Sequence, residues 1–263
     1  MSVVLIDEKI VHYEVLGRGR PILFLHGWVG SWRYWVPAMQ AAAMSFRAYA
    51  IDLWGFGDSA KEAEDYSLQK QTDLVESFLR TLGIGKIALI GHGLGAIVAS
   101  LFARQFPDAV DRLMLISVPF EIRAVSPRLR NPVSPSDLAE WLTSREPVAD
   151  PVRQDAPKTD VQAIVTSLNG LDAMSLLPMM DTYLTPCLVV HGEMDPAVAM
   201  TAYERILAMP ETVHQIVLEH SGHFPMLDES SKFNRLLFDF LSLDSGESPR
   251  ELQLKEEWKR RVR

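Results

Sequence analysis

Cysteine is nearly absent: the 263-residue chain contains one, Cys187. A single thiol cannot form an internal disulfide, so a packed core rather than covalent staples must hold the fold. Cys187 lies in the apolar run Cys187-Leu188-Val189-Val190 and reads as a buried strand residue. Basic residues are also short, with 26 Lys and Arg against 34 Asp and Glu and a formal net charge of −8. That balance argues against a nucleic-acid partner and an anionic membrane, both of which need a cationic face. No apolar stretch reaches the roughly 20 residues that span a bilayer. The segment Met1-Ser2-Val3-Val4-Leu5-Ile6-Asp7 meets an acid too early for a secretory signal. Together these absences set the expectation of a soluble, cytoplasmic protein. There is no internal repeat, no low-complexity tract, no cysteine pair and no H-E-x-x-H sequence. No metal site and no cofactor are therefore expected.

What the chain does have is apolar mass, 48% of its residues, enough for one large domain with an insertion. Short apolar runs alternate with helical patterns: Ile22–Leu25, Arg47–Ile51, Ile87–Ile90, Leu113–Ile116, Leu188–Val190 and Gln215–Leu218. Near-continuous apolar strands separated by helices predict an α/β fold with a mostly parallel sheet covered on both faces. Val3–Ile6 and Ile10–Glu14, joined through Asp7-Glu8-Lys9, read as an antiparallel hairpin at its edge. Helices are predicted over Leu68–Leu82, stopping at Gly83, over Ile97–Phe106 and over Phe233–Leu243. Trp32, Trp35 and Met39 recur at helical spacing and read as the buried face of a first short helix. In the charged tail from Ser245, Leu254, Trp258 and Val262 fall on one side of a frayed or docked terminal helix.

From Phe120 to about Tyr183 the rhythm breaks, with Pro127, Pro132, Pro135, Pro147, Pro151, Pro157 and Pro178 punctuating short amphipathic pieces. The segment lies between two strands, so both its ends emerge at the carboxyl edge of the sheet, where open α/β folds bind ligands. The expected division is a core of residues 1–119 and 185–263 with a helical cap over 120–184. Apolar cap residues such as Leu138, Ile164, Leu168 and Met180 are expected mostly to pack the cap on the core. Those facing the cavity favour a small apolar or amphipathic ligand.

Between the predicted strand at Ile87–Ile90 and the helix after it stands Gly91-His92-Gly93-Leu94-Gly95. This is the strand-turn-helix setting of the G-x-S-x-G nucleophile elbow, with glycine where the hydroxyl belongs. Alone, three glycines there fit equally a phosphate loop or a plain turn.

The flanking sequence turns this into a resemblance to the α/β-hydrolase superfamily over nearly the full length. His26-Gly27-Trp28 resembles the family's H-G-x oxyanion turn. Asp52-Leu53-Trp54-Gly55-Phe56-Gly57-Asp58-Ser59 resembles its D-x-x-G-x-G-x-S loop. His191-Gly192-Glu193-Met194-Asp195 resembles the strand end that carries the acid, and Ser221-Gly222-His223-Phe224-Pro225 the loop that carries the base. The resemblance implies an eight-stranded sheet, Gly93 at the nucleophile position, His223 as general base and Asp195 as its orienting acid. It also implies an oxyanion hole from the Trp28 and Leu94 amides.

His26, Gly27, Trp54 and His92 are expected around the substrate, with His26 bracing its own turn and His92 packing beneath the elbow. Asp52, Asp58, Ser59 and Ser117 are weaker nucleophile candidates, and either hydroxyl would have to reach His223 to matter. A metal at His220, His223 and Glu219 lacks any supporting motif.

Three functions remain open at this point. One is a hydrolase of esters or related carbonyl compounds, impaired by Gly93, whether natural or a replaced serine. Another is a His-Asp dyad enzyme acting through water or substrate deprotonation. The last is a non-catalytic small-molecule binder. Epoxide and haloalkane chemistry is disfavoured, because those relatives carry aspartate at the elbow. Nothing in the residues specifies the oligomeric state.

Overall fold

The computed structural model describes residues 2–254; Trp258 and Val262 of the expected tail helix lie outside them, while Pro249–Leu254 forms a 3-10 turn. The chain opens with β1 (Ser2–Ile6) and β2 (Lys9–Gly17), an antiparallel pair. Asp7 and Glu8 between them both take positive φ, 50° and 65°, the pattern of a two-residue type I′ hairpin. Then follow β3 (Arg20–Leu25), a 3-10 turn over Trp32–Trp35, α1 (Val36–Ala42) and β4 (Phe46–Ile51). Next come α2 (Leu68–Thr81), β5 (Ile87–His92), α3 (Leu94–Gln105) and β6 (Val110–Ile116).

The sheet has eight strands in the order β1-β2-β4-β3-β5-β6, continued by β7 (Cys187–Gly192) and β8 (Val213–Leu218). Pairing is parallel throughout except for β1 with β2 and β2 with β4. The expected eight-stranded, largely parallel sheet with an inserted cap is therefore present. Strands β5 and β7 are buried along their whole length, as a sheet covered on both faces requires.

Strand order dictates where a ligand can bind. The β3 to β4 connection steps toward the hairpin edge, and the β4 to β5 connection steps back over β3. Right-handed crossovers in opposite directions put α1 on one face and α2 and α3 on the other. In keeping with this, α2 packs on α3. The reversal opens a crevice between the carboxyl ends of β3 and β5, the topological switch point of the sheet. The chain leaving β3 is His26-Gly27-Trp28, and the chain leaving β5 is Gly93.

Between β6 and β7 lie five short helices, α4 (Pro127–Arg130), α5 (Pro135–Leu142), α6 (Asp150–Asp155), α7 (Val161–Asp172) and α8 (Leu177–Met180). Leu138, Ile164, Leu168, Leu176 and Met180 are buried, so this insertion shares one apolar core with the sheet. Polar ties add direction: Asp160 N donates to Gly55 O at 2.8 Å, Tyr66 Oη donates to Asp160 at 2.8 Å, and Lys158 pairs with Asp58 at 3.0 Å. The chain ends with α9 (Tyr203–Leu207), α10 (Pro225–Asp228) and α11 (Ser230–Leu241), which packs on α1. Among the described residues no helix is long and apolar enough to cross a membrane.

One helix boundary moves where glycine confuses the local pattern. The sequence predicts a helix from Ile97, but α3 starts at Leu94. Gly95 lowers helix propensity, yet it is required there: a Cβ at 95 would stand 2.3 Å from the Leu25 carbonyl oxygen.

Candidate active site

The turn at Gly93 is set by two close approaches and by its own backbone dihedrals. Gly95 N donates to His26 O at 3.0 Å, drawing the start of α3 against the end of β3. A Cβ at Gly91 would lie 2.3 Å from Gly95 O, so neither flanking glycine can be larger. Gly93 itself caps α3 at φ 51° and ψ −110°, a conformation that costs an L side chain strain and glycine almost nothing.

The His223 ring packs tilted against that of His92, the neighbour of Gly93, with centroids 4.6 Å apart. His223 Nδ1 lies 2.9 and 3.0 Å from the two Asp195 carboxylate oxygens. Burial alone would push the Asp195 carboxyl up. The adjacent His223 ring, its hydrogen bond, His191 and the Ala197 amide outweigh burial and hold the group well below the usual carboxylate range. Asp195 is thus an acceptor and Nδ1 of His223 carries the proton it donates, which leaves Nε2 as the ring nitrogen turned away from the carboxylate. Ala197 N and Val198 N donate to Asp195 Oδ1 at 2.8 and 3.1 Å, fixing the carboxylate on its turn. On the other side Ser221 Oγ donates to Glu229 at 2.7 Å and Gly222 N to Asp228 at 2.8 Å, so the junction between α10 and α11 anchors the His223 loop.

The turn after β3 is held by bonds whose directions follow from donor counting. Leu53 N donates to His26 Nε2 at 2.9 Å, so His26 Nδ1 bears the proton and donates to Gly27 O at 2.8 Å. Burial pushes the His26 ring below its ordinary range, which keeps it in this neutral form. In a trans peptide C=O and N–H point oppositely, so pinning Gly27 O also aims the Trp28 N–H. Among the described residues neither the Trp28 nor the Leu94 amide donates to a protein acceptor. Both residues are buried, and buried unpaired amides are uncommon.

The Trp28 indole lies across Gly93. A Cβ added at 93 would stand 3.1 Å from Trp28 Cε3 and Cζ3, a contact the ring must relieve by a few tenths of an ångström. Trp28 Nε1 donates to Ser167 Oγ on α7 at 3.0 Å, tying this turn to the cap. Trp28, Leu94 and His223 are at most 1% exposed, so the site is enclosed. Two open cavities of about 400 and 320 Å³ lie instead by the opposite ends of the strands, near Gly17, Arg18 and Arg47 and near Arg20, Lys86 and Arg112.

The other expected residues fall into two groups. Gly27, Trp28, Gly93, Leu94, Asp195 and His223 come together at the crevice. His26 and His92 are fully buried beneath it with all four ring nitrogens engaged by protein. Trp54 is held by reciprocal bonds with Gln71, 3.0 Å at its amide and 2.8 Å at its carbonyl. The Ser59 hydroxyl donates to Asp52 O at 2.7 Å, and that of Ser117 donates to the backbone carbonyl of His223 at 3.4 Å. Burial pushes the Cys187 thiol up, out of the range of a ready nucleophile.

His12, Asp52 and Asp58 approach closely enough to share a cation, but protein groups already engage both carboxylates. Asp52 accepts from the Trp32 and Asp58 amides, both at 2.9 Å, and from His12, while Asp58 pairs with Lys158. Sequence reasoning missed Tyr34, Ser167 and the Ala197 and Val198 amides. Tyr34 stands between Trp32 and Trp35 without a motif of its own, and Ser167 carried no signal.

Residues 22–236 match the alpha/beta hydrolase family, and the chain belongs to it. It is 28% identical over 264 residues to an uncharacterised protein of Mycobacterium tuberculosis, covering 87% of this chain and 77% of that one. A soluble epoxide hydrolase of Corynebacterium is 36% identical over 114 residues, 43% of this chain and 40% of the relative. Among solved structures, the enol-lactonase from Burkholderia xenovorans superposes with a TM-score of 0.81 at 21% identity, over 92% of this chain and 100% of that one.

Proposed function

We propose that this protein derives from serine hydrolases acting on carboxylic esters or similar carbonyl compounds, and that Gly93 leaves it with little or no serine-type turnover. The observation that carries the reading is a single missing atom group in an otherwise complete arrangement. The α3 cap has elbow dihedrals but no side chain, while the His223–Asp195 pair and two unpaired amides remain beside it. Asp195 orients His223, and the Trp28 and Leu94 amides receive negative charge developing on a substrate oxygen. The ligand is small and apolar or amphipathic, enclosed under a cap spanning residues 120–184. Gly93 also lacks the carboxylate expected at the elbow of epoxide hydrolases, so the partial likeness to one does not carry its chemistry here.

The retained dyad favours a second reading, in which water replaces the serine. His223 Nε2 takes a proton from water, the water oxygen bonds to the ester carbonyl carbon, and the tetrahedral oxyanion sits on the two amides. Collapse expels the alkoxide, which receives the proton back from His223. A binding protein without turnover is the third.

One set of assays separates them. On p-nitrophenyl acetate and butyrate the native chain is expected to show little turnover, and Gly93→Ser to raise the rate by at least about 100-fold, a floor below the roughly 10⁴-fold or greater loss that follows removal of one triad member. Turnover by the native chain that His223→Ala abolishes would move the conclusion to the water mechanism. Inert native and serine chains that still bind ligand would move it to a binder.

A further inference from the structure

One buried chain of hydrogen bonds links the two halves of the site. Gly27 N lies 2.7 Å from Tyr34 Oη, Tyr34 Oη lies 2.9 Å from His92 Nδ1, and His92 Nε2 lies 2.8 Å from the carbonyl oxygen of His223. An amide can only donate, so Tyr34 accepts from Gly27 and has one proton to give. That proton goes to His92 Nδ1. A carbonyl can only accept, so His92 Nε2 must carry the ring's proton and donate it to His223 O. For a neutral His92 ring no other assignment satisfies all three contacts.

The surroundings agree. Tyr34 and His92 are at most 1% exposed. Desolvation drives His92 well below its ordinary range and the Tyr34 phenol well above its own. The His92 ring is walled by Tyr34 and Phe224, with centroids 5.7 and 4.9 Å away. The second lone pair of the His223 carbonyl takes Ser117 Oγ at 3.4 Å, from a residue at φ 47°. Positive φ at a non-glycine strand end is uncommon, and here it accompanies a bond to the same carbonyl.

We infer that Tyr34 and His92 form a strut that sets the distance between the turn bearing the Trp28 amide and the loop bearing the His223 ring. The inference rests on the proposed roles of those two groups. Tyr34 and His92 are positioning residues: the reacting atoms touch neither. The strut also explains why the position before Gly93 carries a histidine. Two ring nitrogens at opposite corners let one side chain accept from one wall and donate to the other, which no aliphatic residue can do.

Two arms test it. In the native chain, long-range proton–nitrogen spectra are expected to show His92 with a protonated Nε2 and bare Nδ1 across roughly pH 5 to 8, where an exposed histidine titrates. Tyr34→Phe should leave that tautomer in place but strip Nδ1 of its donor, and speed exchange of the His223–Asp195 bridging proton about tenfold, the effect of one lost buried hydrogen bond. A His92 ring that titrates normally, or a bridging proton unmoved in Tyr34→Phe, would overturn the strut. In the Gly93→Ser background, Tyr34→Phe should lower kcat about tenfold with KM little changed, and His92→Gln, which can still accept from Tyr34 and donate to His223 O, should retain more activity than His92→Phe. Equal loss in Gln and Phe variants would count against it. A Gly93→Ser chain with no turnover would contradict the hydrolase reading alone, and the spectra decide the strut independently.

Discussion

His26, His92 and His191 are each held neutral, chiefly because burial disfavours the imidazolium, and burial together with Arg250 lowers His214 to about 4. In the unfolded chain these rings titrate near the ordinary value of about 6.5. Below that pH the unfolded state binds more protons than the folded one, so stability must fall as pH falls. Each such histidine contributes a slope of up to about 1.4 kcal/mol per pH unit until its folded-state value is reached. Asp195 adds a loss only further down, as pH drops below about 3.9 toward its depressed folded value. Urea denaturation at pH 7.5 and 5.5 should therefore give a lower unfolding free energy at pH 5.5, with a smaller difference in His92→Gln. A flat profile would contradict the neutral, buried assignment. At this scale the sequence was informative about identity and poor about orientation. Motif spacing singled out Gly93, Asp195 and His223, because a strand end or a tight turn must present each of them. Tyr34 and Ser167 were illegible, since their partners His92 and Trp28 lie 58 and 139 residues away and no local period encodes such a meeting.

Elements were legible where apolar periodicity is strong. Strands β3 to β8 lie where continuous apolar runs stand, and α2 ends before Gly83, which takes φ 63°. Two helix starts were misread by three residues, that of α11 at Ser230 and that of α3 at Leu94, and α3 is the one whose first turn is shaped by contact with β3 rather than by its own propensities. That contact is testable. Gly95→Ala would press a methyl into the Leu25 carbonyl at 2.3 Å and is expected to destabilise the fold by on the order of 3 kcal/mol, read as a lowered Tm. An unchanged Tm would mean β3 and α3 are not so close. The cap has its own handle in the bond from Trp28 to Ser167 Oγ. Ser167→Ala should leave the sheet intact and raise amide hydrogen exchange in α7 about fivefold, matching the roughly 1 kcal/mol of one such bond. Uniform exchange change across sheet and cap would show that the bond is not a local fastening.

For the whole molecule, the reversal of strand order between β3 and β5 is what gathers the site. It brings the two turns that carry Trp28 and Gly93 side by side, and the later strands β7 and β8 deliver Asp195 and His223 from the same carboxyl edge. At the centre of this arrangement the side chain of Gly93 is a hydrogen atom. The most direct measurement is a crystal structure of Gly93→Ser after reaction with an alkyl phosphonate ester. The account predicts a covalent adduct on the new serine. One phosphonyl oxygen should lie within about 3 Å of both the Trp28 and Leu94 amides, with the His223–Asp195 bond unchanged. An adduct whose oxygens face away from those amides, or a serine that does not react, would contradict it.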